Sequence, residues 1–280
     1  MPELPEVEVT RLGLLPHLAG RRVTGVRWSN RRLRRPMPRR LLREWIENGV
    51  ITTIDRRAKY LLVRMQGGAV LVVHLGMTGR LGIFAAPSPG ARHDHLCLRL
   101  DNDREVRFND SRRFGSVTVW PADEAGRLEE EFAAGLGIEP FSDHFNAANL
   151  LALAEKRRLP VKSFLMDSRI IAGIGNIYAS EILHAAGLHP LTPVNRIHRQ
   201  QWQQVVTTGR AILEEAIRAG GSTIADFLDA SGQPGYFQLR LRVYGRGDLP
   251  CPDCGRIIEK TALAGRATFF CPGCQPLPRE

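Results

Sequence analysis

Tyr60-Leu61-Leu62-Val63-Arg64-Met65-Gln66-Gly67-Gly68-Ala69-Val70-Leu71-Val72-Val73-His74-Leu75 is a pair of β-rich runs joined by two glycines. Branched aliphatic side chains favour a pleated, half-buried surface, and Gly67-Gly68 supplies the positive φ a tight hairpin needs. The pattern continues outward. Ile51–Ile54 precedes it as another strand, a second hairpin is expected from His95–Leu100 and Glu105–Phe108 around Asp101-Asn102-Asp103, and Val117–Trp120 closes the series. Residues 23 to 120 therefore predict a β-sandwich. A helix leads into it from Pro5 to about residue 19. Val9, Leu12, Leu15 and Leu18 recur at three-residue steps, and Pro16 is expected to bend or end it.

After residue 125 the texture becomes helical, most clearly at Ala147–Arg158, Ile177–Ala186 and Gln200–Ala219. Residues 241–280 read as short strands and turns carrying four cysteines. The expected fold class is α+β with two domains, a β-sandwich with a leading helix and a helical domain ending in a hairpin. The segments are 1–125, 126–240 and 241–280.

The chain of 280 residues has 39 basic against 29 acidic side chains and a net charge of +10, which favours a polyanionic partner such as nucleic acid. Only Lys59, Lys156, Lys162 and Lys260 are lysine; codon bias accounts for an arginine excess of this kind, and each remaining lysine is mildly informative because arginine does not replace a titratable or compact cation. Residues 21–43 hold ten arginines, which read equally as a solvated surface or a DNA contact. No apolar run reaches the roughly 20 residues of a membrane span, and the N-terminus lacks the form of a signal peptide, so a cytoplasmic protein with no membrane partner is expected.

Cys251-x2-Cys254 and Cys271-x2-Cys274 have zinc-ribbon spacing, and four thiolates complete a tetrahedral shell. Two disulfides are the competing reading, disfavoured in a reducing compartment. One structural zinc ion is expected, with Arg266 offered at the tip of the hairpin between the pairs. Cys97 reads as a buried apolar residue.

The chain opens Met1-Pro2-Glu3-Leu4-Pro5-Glu6-Val7-Glu8. Loss of Met1 would free a secondary amine, partly neutral at physiological pH and able to attack a sugar C1′ to form an iminium. Glu3 could move the accompanying proton. On this segment alone an acidic helix start that happens to carry a proline is the better reading.

That opening resembles the signature of formamidopyrimidine-DNA glycosylases. Further matches follow in order: Arg57-Ala58-Lys59-Tyr60-Leu61-Leu62, His74-Leu75-Gly76-Met77-Thr78-Gly79, Asp110-Ser111-Arg112-Arg113-Phe114-Gly115, and Gly173-Ile174-Gly175-Asn176-Ile177-Tyr178-Ala179-Ser180-Glu181. Pro234-Gly235-Tyr236-Phe237, Val243-Tyr244-Gly245-Arg246 and the cysteine ribbon complete the set, which covers nearly the whole chain. The resemblance implies a helix–two-turn–helix module in the second domain. It implies a bifunctional enzyme that removes oxidised purines such as 8-oxoguanine and formamidopyrimidines from duplex DNA, and then cuts the abasic strand by β,δ-elimination. Pro2 is then the Schiff-base nucleophile, Glu3 assists loss of the base, Lys59 is the proton donor for β-elimination, Arg266 serves δ-elimination and Glu6 orders the site. His93, Arg112, Arg157, Lys162 and Asn176 match positions that hold DNA. Met77, Arg112 and Phe114 match a trio that fills the gap left by an extruded base, and the stretch from Gly220 to Tyr236 would close over it. Ser111 and Asp167-Ser168 depart from the family's frequent residues without removing a catalytic group. The implied partner is double-stranded DNA with oxidised purines or abasic sites, met by a bacterial, nucleoid-associated monomer. The rivals are an endonuclease VIII-type glycosylase acting on oxidised pyrimidines and a zinc-dependent DNA-binding protein without catalysis.

Overall fold

The computed structural model describes residues 2–220 and 241–277. These divide into two compact units, 2–134 with 219–220 and 135–218 with 241–277.

In the first unit, α1 (Leu4–Leu18) runs through Pro16 and stops two residues later. Its buried apolar face is Leu4, Val7, Leu14 and Leu18, and Leu12 is exposed. The three-residue series that marks the helix in the sequence shares only Leu18 with this face. Each step of three turns about 300°, so the series lags by about 60° per step and wraps around the helix.

Eight antiparallel strands follow: β1 (Val23–Trp28), β2 (Ile51–Arg57), β3 (Tyr60–Met65), β4 (Val70–His74), β5 (Arg80–Ala85), β6 (Asp94–Leu100), β7 (Arg104–Asn109) and β8 (Ser116–Trp120). They form two four-stranded sheets, β1-β6-β7-β5 and β2-β3-β4-β8. The Gly67-Gly68 turn pairs Arg64 with Val70, and the turn at 101–103 sets Arg99 against Glu105. One core joins both sheets to α1, with Val7, Leu14, Leu61, Val73, Leu98 and Phe108 among its members. Between β1 and β2 lies a short helical turn, α2 (Arg39–Leu41), that runs on into Leu42–Ile46. Helix α3 (Ala125–Gly135) was not apparent from the sequence; it buries Leu128 and Phe132, with the Phe132 ring 5.3 Å from Tyr60.

The second unit holds α4 (Ala147–Ala154), α5 (Val161–Met166), α6 (Asn176–Ala185), α7 (Arg199–Arg218) and the hairpin β9 (Glu259–Leu263) and β10 (Arg266–Phe270). Asn146 caps α4 by accepting from the Asn149 amide at 2.9 Å. The helix ends at Ala154, four residues short of the expected Arg158. Phe145, Phe164, Tyr178 and Trp202 fill the core. No described helix is long and apolar enough to cross a membrane.

Candidate active site and nucleic-acid interface

The head of α1 carries the expected nucleophile and acid. Glu3 is the N-cap and is 1% exposed; its backbone N–H donates to Glu6 Oε2 at 2.8 Å, and the two glutamates form a capping box. Such a box satisfies amides that a helix start would otherwise orphan, which sets the entry angle of the chain bearing Pro2. Glu6 thus holds the helix start that carries Pro2 and Glu3.

Lys59 sits with Ala58 in the two-residue turn between β2 and β3, where Arg57 pairs with Tyr60. Ala58 adopts φ 52°, a left-handed conformation unusual for alanine. Arg56 holds that turn: its Nη1 donates to the Ala58 carbonyl at 3.1 Å while its Nε meets Glu8 Oε2 at 2.9 Å. Glu8 also receives Arg11 Nη2 at 2.6 Å. Burial would raise the Glu8 pKa, but the bonds and charges of Arg11 and Arg56 outweigh it and hold the carboxyl below its usual value. A chain of contacts thus runs from α1 to the residue preceding Lys59. None of it was singled out from the sequence, because its members lie 48 and two residues apart and meet only across the fold.

His74, quoted in a motif but given no role, is a second such residue. Its Nδ1 accepts the Gly76 amide at 3.0 Å, so the neutral ring carries its proton on Nε2. Burial, with the charges of Arg34 and Lys59 adding to it, pushes its pKa down to about 4.

Met77 and Phe114 are exposed, so both fall outside the core. The Arg112 guanidinium lies 4.7 Å over the Phe114 ring. Their two loops interlock. Thr78 Oγ1 donates to Asp110 Oδ1 at 2.6 Å and accepts from the Arg112 amide at 3.2 Å, and Asp110 Oδ2 receives the Gly115 amide at 2.8 Å. Gly76 is required here, since a Cβ would fall 2.4 Å from the Gly115 nitrogen. Arg113 is held at φ 59° between Arg112 and Phe114. His93, at φ 77°, accepts the Asp110 amide through its carbonyl at 3.1 Å and so borders the same loop.

Cys97 is buried, but it is no apolar filler. Its Sγ donates to Glu105 Oε2 at 3.0 Å, and Glu105 also binds Arg107 and Arg27. Burial pushes the thiol up to about 11.

In the second unit α6 organises the ribbon along its length. Asn176, its first residue, donates from Nδ2 to the Ala267 carbonyl at 3.0 Å. Glu181, 4% exposed, accepts the amides of Arg242, Val243 and Tyr244 at 2.9, 3.0 and 2.8 Å. His184 Nε2 lies 3.6 Å from Cys251 Sγ. Lys162 from α5 is 1% exposed and donates to the Ala267 carbonyl and to Thr268 Oγ1, at 3.1 and 2.8 Å. Lys162 and Asn176, expected at DNA phosphates, are here engaged with β10. Arg157 is exposed just beyond α4. Arg266 is exposed at the hairpin tip, where Ala264 and Gly265 both take positive φ.

The four cysteine sulfurs lie within 4.8 Å of one another, with Cys254 and Cys271 at 3.4 Å and Cys251 and Cys274 at 3.8 Å. A tetrahedral zinc with Zn–S of about 2.3 Å has sulfur–sulfur edges of roughly 3.8 Å, so the cluster fits. The Asp253 and Cys274 amides point at Cys251 and Cys271 sulfurs from 3.5 Å, as thiolates require. These cysteines bind one zinc ion, whose role with four protein ligands is structural.

Three family models divide the chain in order. The N-terminal domain of formamidopyrimidine-DNA glycosylase matches residues 1–117, its H2TH domain 136–228, and the zinc finger found in FPG and IleRS 248–277. A chain so assembled is a base-excision DNA glycosylase with abasic-site lyase activity. It belongs to the formamidopyrimidine-DNA glycosylase family. The Stenotrophomonas maltophilia K279a protein of that name is 46% identical over 275 residues, covering 98% of this chain and 100% of the relative. The Alkalilimnicola ehrlichii protein is 47% identical over 282 residues, covering 98% and 100%. Among solved structures, a Lactococcus lactis FPG variant bound to Fapy-dG DNA superposes with a TM-score of 0.88 at 30% identity, covering 99% of this chain and 100% of that one. The Lactococcus lactis Fpg complex with abasic-site DNA gives 0.87 at 30%, covering 98% and 100%. The stretch expected to close over the extruded base lies, from residue 221 to Tyr236, outside the described residues.

Proposed function

We propose that this protein excises oxidised purines, 8-oxoguanine and formamidopyrimidines, from duplex DNA through a Schiff base to Pro2, and then cleaves the strand by β,δ-elimination. The observation that carries the reading is the capped head of α1, with Glu3 buried beside Pro2, together with the Lys59 turn tied to the same helix through Arg56 and Glu8.

After removal of Met1, the Pro2 nitrogen attacks C1′ as the bond to the base breaks. The base leaves with the bonding pair and takes a proton, with Glu3 assisting. Loss of the proline N–H proton leaves an aminal, and the C1′–O4′ bond then breaks with O4′ taking up a proton, so that the sugar ring opens and the cationic iminium forms. A C2′ proton is then lost and the 3′ phosphate departs, with Lys59 handling proton transfer, and Arg266 assists loss of the 5′ phosphate. Met77, Arg112 and Phe114 offset the cost of unstacking by filling the vacated space, with Arg112 bonding the orphaned partner base. His93, Arg112, Arg157 and Asn176 contact the DNA, and the buried Lys162, expected there too, instead supports β10 through Ala267 and Thr268. The protein acts as a monomer in the bacterial cytoplasm, on the nucleoid.

Borohydride added during reaction with an 8-oxoguanine duplex tests this. The expected result is a covalent adduct mapped to Pro2, absent when Met1 is retained. An adduct at Lys59 overturns the nucleophile, and excision confined to oxidised pyrimidines overturns the substrate class.

A further inference from the structure

The arginine-rich segment between β1 and β2 has no part in the chemistry above. Of its residues 29–43, seven are arginine and none is acidic. Arg31, Arg32, Arg35 and Arg40 are exposed, and among the described residues none of them pairs with a carboxylate. An ordinary solvated surface intersperses both signs of charge; this one leaves its cations uncompensated.

The segment is anchored despite its charge. Leu33 is buried in the sandwich core, and Met37 packs against that core. Arg39 Nη2 donates to Asn30 Oδ1 at 3.1 Å, and Arg43 lies 5.0 Å over the Trp28 ring. Two further ties lead to the loop bearing Arg112 and Phe114. The Arg34 amide donates to the Gly115 carbonyl at 3.0 Å. Ser29 Oγ and His95 Nδ1 are 2.8 Å apart, and His95 Nε2 lies 2.9 Å from the Asp110 carbonyl. The arginines are thus held to both ends of that loop, at Asp110 and Gly115.

We propose that Arg31, Arg32, Arg35 and Arg40 form an auxiliary surface for the phosphate backbone of the duplex, flanking the loop that enters it. This rests on the DNA reading of that loop. Guanidinium groups suit phosphate through their forked donors, and a pre-anchored backbone lowers the ordering cost of each contact. The apolar side chains of the segment face inward or lie beneath an arginine, which leaves no apolar face for insertion into a lipid surface.

The test is binding of an undamaged 30-base-pair duplex by the full protein across a salt series. Each lost phosphate contact reduces the log–log slope by about 0.9, so Arg31→Gln/Arg32→Gln/Arg35→Gln is expected to flatten it by roughly 2.7. The triple lysine variant, which keeps the charge, is expected to hold most of the slope and controls for folding. A slope unchanged by the glutamine substitutions overturns the proposal. So does arginine-dependent binding to phosphatidylglycerol vesicles without a change on duplex. Because the probe carries no lesion, a protein that fails to excise 8-oxoguanine yet shows the flattened slope keeps this surface and loses the proposed function. A protein that excises with an unchanged slope does the reverse.

Discussion

Lys162 Nζ donates a 2.8 Å hydrogen bond to Thr268 Oγ1, joining α5 to β10 two residues from Arg266. With the bond to the Ala267 carbonyl, it places a buried ammonium against the strand that presents the hairpin tip. Hydrogen bonds to charged groups contribute about 1.5–3 kcal/mol each. Lys162→Met is therefore expected to lower the thermal midpoint by several degrees and to impair strand cleavage, the step assigned to Arg266, more than base release. Differential scanning calorimetry and a gel assay separating the two steps check this. An unchanged midpoint removes the tethering role.

His74 gives the first unit a pH dependence of definite sign. Its folded pKa of about 4 lies below the ordinary imidazole value, so the unfolded chain takes up a proton that the folded protein refuses. This contribution is fully present above pH 6.5 and is lost as pH falls toward 4. Between about pH 7.5 and 5 the loss is roughly 2 kcal/mol. Urea unfolding at the two pH values measures it, and His74→Gln is expected to shrink the difference by that amount.

Glu8 and Arg56 hold the turn that carries Lys59. Arg56→Met frees the Ala58 carbonyl from its tie to α1, and the turn carrying Lys59 can relax from its left-handed conformation. Small misplacements of a catalytic group cost up to about 100-fold, so β-elimination is expected to slow by roughly 10- to 100-fold. Borohydride trapping at Pro2 is expected to persist, since the capping box lies outside this chain of contacts. Equal loss of trapping and cleavage would indicate a general disturbance of α1.

Phe114 is exposed and stacked by Arg112 on a loop tied down at Asp110 and Thr78. Phe114→Ala is expected to slow excision from paired duplex far more than cleavage at a pre-formed abasic site, where no base must be extruded. Arg112→Ala is expected to weaken the opposite-base preference. Equal slowing of both reactions by Phe114→Ala would make the residue structural.

Runs of branched aliphatic residues and glycine turns made the sandwich legible along the chain, and the cysteine spacing made the metal site so, because both depend on neighbours in sequence. The order of motifs identified the family for the same reason. The three-residue series in α1 marked the helix, but which stripe of it faces the core was decided by packing. What the tertiary structure alone decided is how distant charges are spent. It put Glu8, Arg56 and Ala58 into one chain of contacts, lowered the His74 pKa by burial beside Arg34 and Lys59, drew Cys97 into the Glu105 cluster, and turned Lys162 and Asn176 onto Ala267. A residue type fixes what bonds a side chain can make, but burial and the partners that folding brings within about 3 Å determine which of them it makes.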